Sequence, residues 1–551
     1  MGVDELENLA GPRVAPEFRL FEHRSVIDSH FEPSAARRLE LDVGVGKLFA
    51  QGGRQTDGPW FIVSDDAEFD RKAHGVVMGS FGENIDPLRP MAPADTRRYR
   101  WKLPKPLRGV RVRSLQISSI LVLAAIVAAT AAAQTPAPRA TDALAAEVDK
   151  RAAALAPKVT AWRHDIHRNP ELSNQEVRTA KLVADHLRAL GLQVRTGVGG
   201  HGVVGVLKGA LPGPVVALRA DMDALPVVEL ADVAYKSAVR TVYNGVETGV
   251  MHACGHDMHT AMLMGTAELL AGLKAQLPGT VVFLFQPAEE SPPTGGAGPM
   301  IAAGAMDDPK VDAVFGLHVG TGEFGTVSVR SGPTSAAADQ MRIIVRGKQT
   351  HGAFPSSGVD PIVIGSQIVL GLQTIISRQV NLTTAPAVVT VGAFQGGLRE
   401  NIIPDTVWMI GTIRTYDEAM RTLIHERVKR TAEGIAQSGG ATAEVTITRG
   451  YDVTMNDSLL TQKMVPTLQR VAGPGRFRVN PAGLAGEDFS RFAARAPGAF
   501  VNLGVTPPEN DWRTAASNHS PLFVGDDKAL PIGVRIMSSL AIDYLRFGRT
   551  Q

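Results

Sequence analysis

Beyond residue 140, apolar positions alternate between helical spacing and short continuous runs. Residues 143–161 and 176–190 carry apolar side chains at helical intervals, and Gly191 is a helix stop. Residues 203–208 and 215–219 are short β-rich runs. A helix is predicted at 259–276, and buried strands at 280–285 and 313–317. Strands that alternate with helices predict an α/β fold, a mostly parallel central sheet with helices on both faces.

The pattern changes between about residues 335 and 449. A strand at 340–347 is followed by a helix at 361–380, strands at 387–394 and 406–414, a helix at 418–438 and a strand at 441–448. That β-α-β-β-α-β order is the split ferredoxin-like unit. A complete α+β domain is therefore expected at 335–449, inserted in a parent domain that covers 143–334 and 450–551. The parent is expected to end with a helix from about 531 to 547.

Residues 108–134 follow neither rhythm. A basic start at Arg108, Arg111 and Arg113 leads into the apolar run 117–133, which ends Ala131-Ala132-Ala133 before Gln134. These are the three regions of a secretory signal, with 135–142 as the linker beyond it. The run is at the short end for a membrane span. Two expectations compete for 1–107, which carry no readable motif. Either they are an over-extended reading frame whose start lies near Met91 or Val110, or they precede an uncleaved anchor. Only the second makes a membrane a partner. Under both, the remainder is expected outside the cytoplasm, as a periplasmic, secreted or inner-membrane-anchored protein.

Composition narrows the partners further. The formal net charge is +2 and aromatics are 5% of the chain, so no basic, aromatic-interleaved stripe exists and a nucleic-acid binder is excluded. Cys254 is the single cysteine, so its thiol is buried, reactive or a metal ligand, and never part of an internal disulfide.

The unusual residues fall at predicted strand ends. Asp221 and Asp223 follow the run 215–219, Glu289 and Glu290 follow 280–285, and His318 closes 313–317. In open α/β sheets, ligands bind beyond the carboxyl ends of the strands. Three strands thus bring carboxylates and imidazole to one edge. The run Met-His-Ala-Cys-Gly-His-Asp-Met-His at 251–259 is dense in metal ligands. Cys254 and His256, two apart on an extended loop, can face one ion. His259 is expected at a helix start, supporting ligands from behind. Glu289 and Glu290 are adjacent carboxylates of opposite direction, one for a metal and one for a water. Alone, His318 reads more readily as a satisfied core histidine and His519 as a loop histidine.

Seven motifs occur in order: RHDIHRNPELSNQE at 163–176, ALRADMDALPV at 217–227, MHACGHDMHT at 251–260, FQPAEE at 285–290, GLHV at 316–319, GEDFS at 486–490 and NHSP at 518–521. Over about residues 143–547 the chain resembles the bacterial and plant N-acyl-amino-acid amidohydrolases, such as the hippurate and auxin-conjugate hydrolases. These sit within the aminoacylase and carboxypeptidase-like metallopeptidases with two co-catalytic metals. The resemblance implies that Cys254, His256, Glu290, His318 and His519 are the metal ligands and Glu289 the general base. It implies that Asp223 orients a ligand, that His351 contacts the scissile carbonyl, and that Asn401 and Arg414 bind substrate. The inserted domain would be a lid that pairs two chains into a homodimer. The cofactors implied are two divalent ions per subunit, Zn²⁺ or Mn²⁺, with Co²⁺ or Ni²⁺ fitting the same ligands.

The expected reaction is hydrolysis of a small N-acyl amino acid by a water activated between the metals, with Glu289 as base. Exopeptidase action on short peptides is the alternative, and carbamoyl hydrolysis uses the same fold. A non-catalytic scaffold would be expected to lack ligands or base, and all are present. One departure stands out. The family's lid motif carries Gly-Gly-His-Ala-Ala and then Pro-His, whereas here Gln349-Thr350-His351-Gly352-Ala353 leads to Pro355-Ser356. The first histidine survives and the second is serine, which points to a shifted substrate preference.

Overall fold

The computed structural model describes residues 140–547 and two short strands, Glu40–Asp42 and Lys47–Phe49, which pair antiparallel. Those two strands belong to the unit Met1–Leu115, and all other described elements to the unit Gln116–Gln551. The signal or anchor expected at 108–134 lies outside the described residues.

The parent domain opens with helices α1 (Ala140–Arg168) and α2 (Val177–Ala189) and strands β1 (Gln193–Val198), β2 (Gly202–Lys208) and β3 (Leu211–Asp221). Helix α3 (His256–Ala271), β4 (Pro278–Gln286), β5 (Ala313–Gly320) and β6 (Val327–Ser328) follow. The inserted segment holds β7 (Ala337–Arg346), α4 (Pro361–Thr374), β8 (Ala387–Gly396), β9 (Thr406–Thr415), α5 (Glu418–Ser438) and β10 (Thr442–Tyr451). The chain returns through α6 (Ser458–Ala472), β11 (Phe477–Arg478), β12 (Gly498–Gly504) and α7 (Leu530–Phe547).

The large sheet has the order β11-β6-β12-β5-β3-β4-β2-β1. Its middle, β12-β5-β3-β4, is parallel throughout, and antiparallel pairs stand on both flanks. The middle strands read as unbroken apolar runs because both of their faces are covered. Val216, Leu218, Val281, Phe283 and Phe315 face the helices α1, α3 and α7. Ala217, Val282, Leu284 and Val314 face Phe489, Phe492 and Met300 on the other side. The inserted sheet is antiparallel, in the order β8-β9-β7-β10, and has its own core from α4 and α5.

Several elements differ from the sequence expectation. Helix α1 runs to Arg168 rather than 161, through Pro157. Its last turns are polar, yet Arg163 and His167 are buried against Asp257, which explains the extension. Helix α3 begins at His256 rather than 259. Strand β5 continues past His318 to Gly320. Strand β12, in the middle of the sheet, and helix α6 had no counterpart in the sequence reading. The β12 segment GAFVNLG is bounded by glycines, which break the strand signal.

Candidate metal centre and active site

The parallel strands point their carboxyl ends at one edge, and the titratable residues collect there. Asp221 ends β3, with Asp223 two residues on, while Glu289 and Glu290 follow β4. His318 sits in β5, opposite Asn502 of β12.

The turn between Cys254 and His256 is not the extended loop expected from spacing. Gly255 caps α3 in the left-handed conformation, φ 91°. A Cβ there would lie 2.4 Å from Val319 Cγ2, so only glycine fits. This bend, rather than extension, lets Cys254 and the first helical residue face one point.

The thiol of Cys254 stands between two donor sets. Its Sγ is 3.5 Å from His318 Nε2 and 3.2 Å from His519 Nε2. The ligand atoms of Cys254, His256 and His318 lie within 4.8 Å of one another, as do those of Cys254, Glu290 and His519. His256, Glu289 and Glu290 form a third such group. The donors are also oriented. His318 Nδ1 donates to Val319 O at 2.6 Å, and His256 Nδ1 donates to Asp223 O at 2.9 Å. Each leaves Nε2 for the cluster. His256 Nε2 and Glu290 Oε1 are buried without a hydrogen-bond partner. His519 Nε2 lies 3.0 Å from that same oxygen, but the approach is a charge contact and not a hydrogen bond. Buried donor atoms left open are costly. Here they converge with a thiol and imidazoles, so the set fits divalent cations.

The electrostatics agree. Burial pushes the Cys254 thiol up. Burial and then the charges of Glu487, Glu290 and Asp488 push Glu289 well above the carboxylate range. Burial opposes charge on His256, but Asp221 and Cys254 outweigh it and raise the imidazole well above normal. A hydrogen bond to Cys254 and the charge contact with Glu290 raise His519 to about 10. Protons are held where cations would bind.

Behind the donors lies a second layer. Asp223 accepts from Ser173 Oγ at 2.6 Å and from the backbone N–H of Glu289 and Glu290 at 3.1 and 2.9 Å. His259 Nδ1 donates to Asp221 at 2.5 Å while its Nε2 accepts from Val319 N at 2.8 Å. With both nitrogens used, His259 supports the site and does not ligate. Three residues of this layer escaped the sequence reading. Arg219, fully buried, binds Asp221, Gln286, Glu487 and Asp488. Glu487 lines the cavity beside Glu289. Tyr451 donates its hydroxyl to Glu289 O. A charged residue inside an apolar strand was the available signal for Arg219, and the GEDFS motif for Glu487.

A cavity of about 900 Å³ opens onto Cys254, Glu289, Glu290, His318 and His519, with Arg414 of the inserted domain on another wall. His351 and Asn401 do not line it. His351 lies in the small ladder of 350–351 with 402–403, Asn401 directly precedes its second strand, and both are exposed. His351 Nδ1 accepts from Ala353 N at 3.0 Å, and Asn401 O accepts from Gly352 N at 2.8 Å. Local bonds of the inserted domain hold them there.

A largely parallel sheet with a thiol, imidazoles and carboxylates at its carboxyl edge defines a metal-dependent hydrolase. The model of peptidase family M20/M25/M40 matches residues 217–543, and the chain belongs to this family. It is 42% identical over 386 residues to thermostable carboxypeptidase 2 of Saccharolobus solfataricus, covering 69% of this chain and 94% of the relative. It is 37% identical over 390 residues to the N-acetylcysteine deacetylase of Bacillus subtilis, covering 70% and 96%. A dinuclear metal-binding M20 peptidase from Bacillus subtilis superposes with a TM-score of 0.60 at 34% identity, covering 72% of this chain and 99% of that structure. The chain is a hydrolase of amide or peptide-like bonds that uses two divalent metal ions.

Proposed function

We infer that the chain hydrolyses the amide bond of N-acyl amino acids. The observation that carries this reading is Arg414. Its guanidinium is half-buried on the cavity wall, and no hydrogen-bond or ion-pair partner is found for it among the described residues. Burial lowers its pKa even though the nearby Asp339 acts to raise it, so the site favours a further anion. The α-carboxylate of an amino acid supplies one, and a guanidinium grips it with two hydrogen bonds. The cavity volume suits a small molecule.

Cys254, Glu290 and His519 would hold one metal, and Cys254, His256 and His318 the other. When bound, such ions polarise the carbonyl and make water acidic enough to react near neutral pH. Glu289 accepts the water proton and passes it to the leaving nitrogen, its carboxylate restored by nearby positive charge. Asp223 fixes His256, and the buried Arg219 network fixes Asp221 beneath. His351 and Asn401 act after the inserted domain closes or a second copy presents them. Exposed Phe354, Val363, Leu370 and Leu398 support a homodimer through the inserted domain. The basic-then-apolar leader supports export to the periplasm or beyond.

The carboxypeptidase name of one relative favours a second reading, exopeptidase action on short peptides. A panel of N-acetyl, N-benzoyl, N-carbamoyl and dipeptide substrates on zinc- or manganese-loaded protein separates the readings. Arg414→Ala should raise KM about 10–100-fold for acyl amino acids and leave their carboxamide analogues unaffected. Equal losses on both would remove Arg414 from carboxylate recognition.

A further inference from the structure

The last residue of the motif at 163–176 has no role in the reading above, yet it touches the catalytic loop. Glu176 is fully buried, and its Oε1 accepts from Ala288 N at 2.8 Å and from Asn174 N at 3.0 Å. Ala288 is buried and left-handed, φ 55°, a conformation that alanine rarely adopts. The next two amides, of Glu289 and Glu290, both point at Asp223. Three consecutive N–H groups therefore end on two carboxyl groups. Ser173, from the same motif, donates to the same Asp223 oxygen as the Glu290 amide.

We propose that Glu176 is a positioning residue, whose oxygen holds Ala288 left-handed and so aims Glu289 and Glu290 into the metal cluster. Without that acceptor, the Ala288 N–H would be buried and unsatisfied in a strained conformation, and the chain would turn otherwise. Glu289 and Glu290 come directly after the turn, so any relaxation moves both. The second oxygen of Glu176 is buried and unpartnered. Burial and then Asp223 raise the carboxyl to about 7, so a neutral carboxamide is a close substitute there.

The inference rests on the roles given above to Glu289 and Glu290, and its test separates the two. Glu176→Met matches the length and fills the space without an accepting oxygen, while Glu176→Gln keeps one. Zinc affinity, read by competition with a chromophoric chelator, reports on Glu290 without any turnover. Glu176→Met should weaken zinc binding and lower kcat, each about 10–100-fold, with KM little changed and the fold intact by circular dichroism. Glu176→Gln should stay within about threefold of wild type in both. Adding Ala288→Gly to Glu176→Met should recover part of the loss, because glycine takes the turn without strain. Wild-type zinc affinity and kcat in Glu176→Met would overturn the proposal. So would Glu176→Gln being as impaired as Glu176→Met, or no recovery with Ala288→Gly. If wild type cleaves no acyl amino acid, the substrate reading fails, and zinc affinity still judges Glu176.

Discussion

The strand tips of the parent domain and the His351 ladder of the inserted domain each present catalytic side-chain types, but they are built in opposite ways. At the strand tips the layer behind the donors is over-determined. Asp223 alone collects Ser173, two backbone amides and His256. His259 uses both nitrogens, and Arg219 binds four side chains. The His351 side chain is exposed, and its one hydrogen bond among the described residues is to a backbone N–H two residues along its own chain. On the reading proposed above, half of the site is pre-organised by burial and the other half would be delivered. Pre-organised groups lower the barrier without reorganisation, whereas a delivered group can gate the site.

The largest effect should come from the buried half. Glu289→Gln keeps the shape and removes the basic oxygen, so kcat should fall about 10²–10⁴-fold. Metal content by elemental analysis should not change. The same substitution removes a carboxyl crowded by Glu487, Glu290 and Asp488. The metal-free variant should therefore melt higher than wild type, a gain in stability with a loss of function. Turnover above about a tenth of wild type would take Glu289 out of the base role.

The delivered half should give a smaller effect. His351→Ala should cost about 10²–10³ in kcat with metal content and melting temperature unchanged, because His351 packs against little. Mixing this variant with Glu289→Gln decides how delivery works. Regained turnover assigns His351 to a second copy, and none assigns it to closure over its own cavity. A His351→Ala enzyme at wild-type rate would leave the site complete at the strand tips.

The same contrast governs what could be read from the residues. Cys254, His256, Glu289 and Glu290 stood out because strand ends and dense Cys-His spacing are local signals, whereas His318 and His519 were singled out as ligands only by the ordered motifs. The left-handed turn at Gly255 was not legible, since it follows from Val319, some sixty residues away in β5. Arg219 and Glu487 were hidden for a similar reason, as their partnership spans the whole inserted domain. Within that domain, helix α5 coincides with its predicted bounds, and β8 and β9 begin where predicted. Helix periodicity and strand alternation suffice for such elements. The place of His351 relative to the cavity was not legible, because it depends on how one folded body meets another.

The smallest effect tests whether over-determination extends behind the ligands. His167 of α1 is buried, with Nδ1 2.9 Å from Asp257 and Nε2 3.1 Å from Glu229. Asp257 follows His256 directly, so this pair anchors the start of α3. Burial opposes charge on His167, but Asp257 outweighs it, with Glu229 assisting, and raises the imidazole to about 9. An unfolded histidine titrates near 6.5. The folded form therefore binds the proton more tightly, and the resulting stability is full below about pH 6.5 and lost as pH rises through about 9. In metal-free protein, His167→Gln should be less stable than wild type by about 1–3 kcal/mol at pH 6. The gap should close by pH 10. Thermal melts of the two proteins across this range measure it. A gap that is constant with pH would mean that His167 contributes through packing and neutral hydrogen bonds, and that the anchor beneath His256 carries no charge of its own.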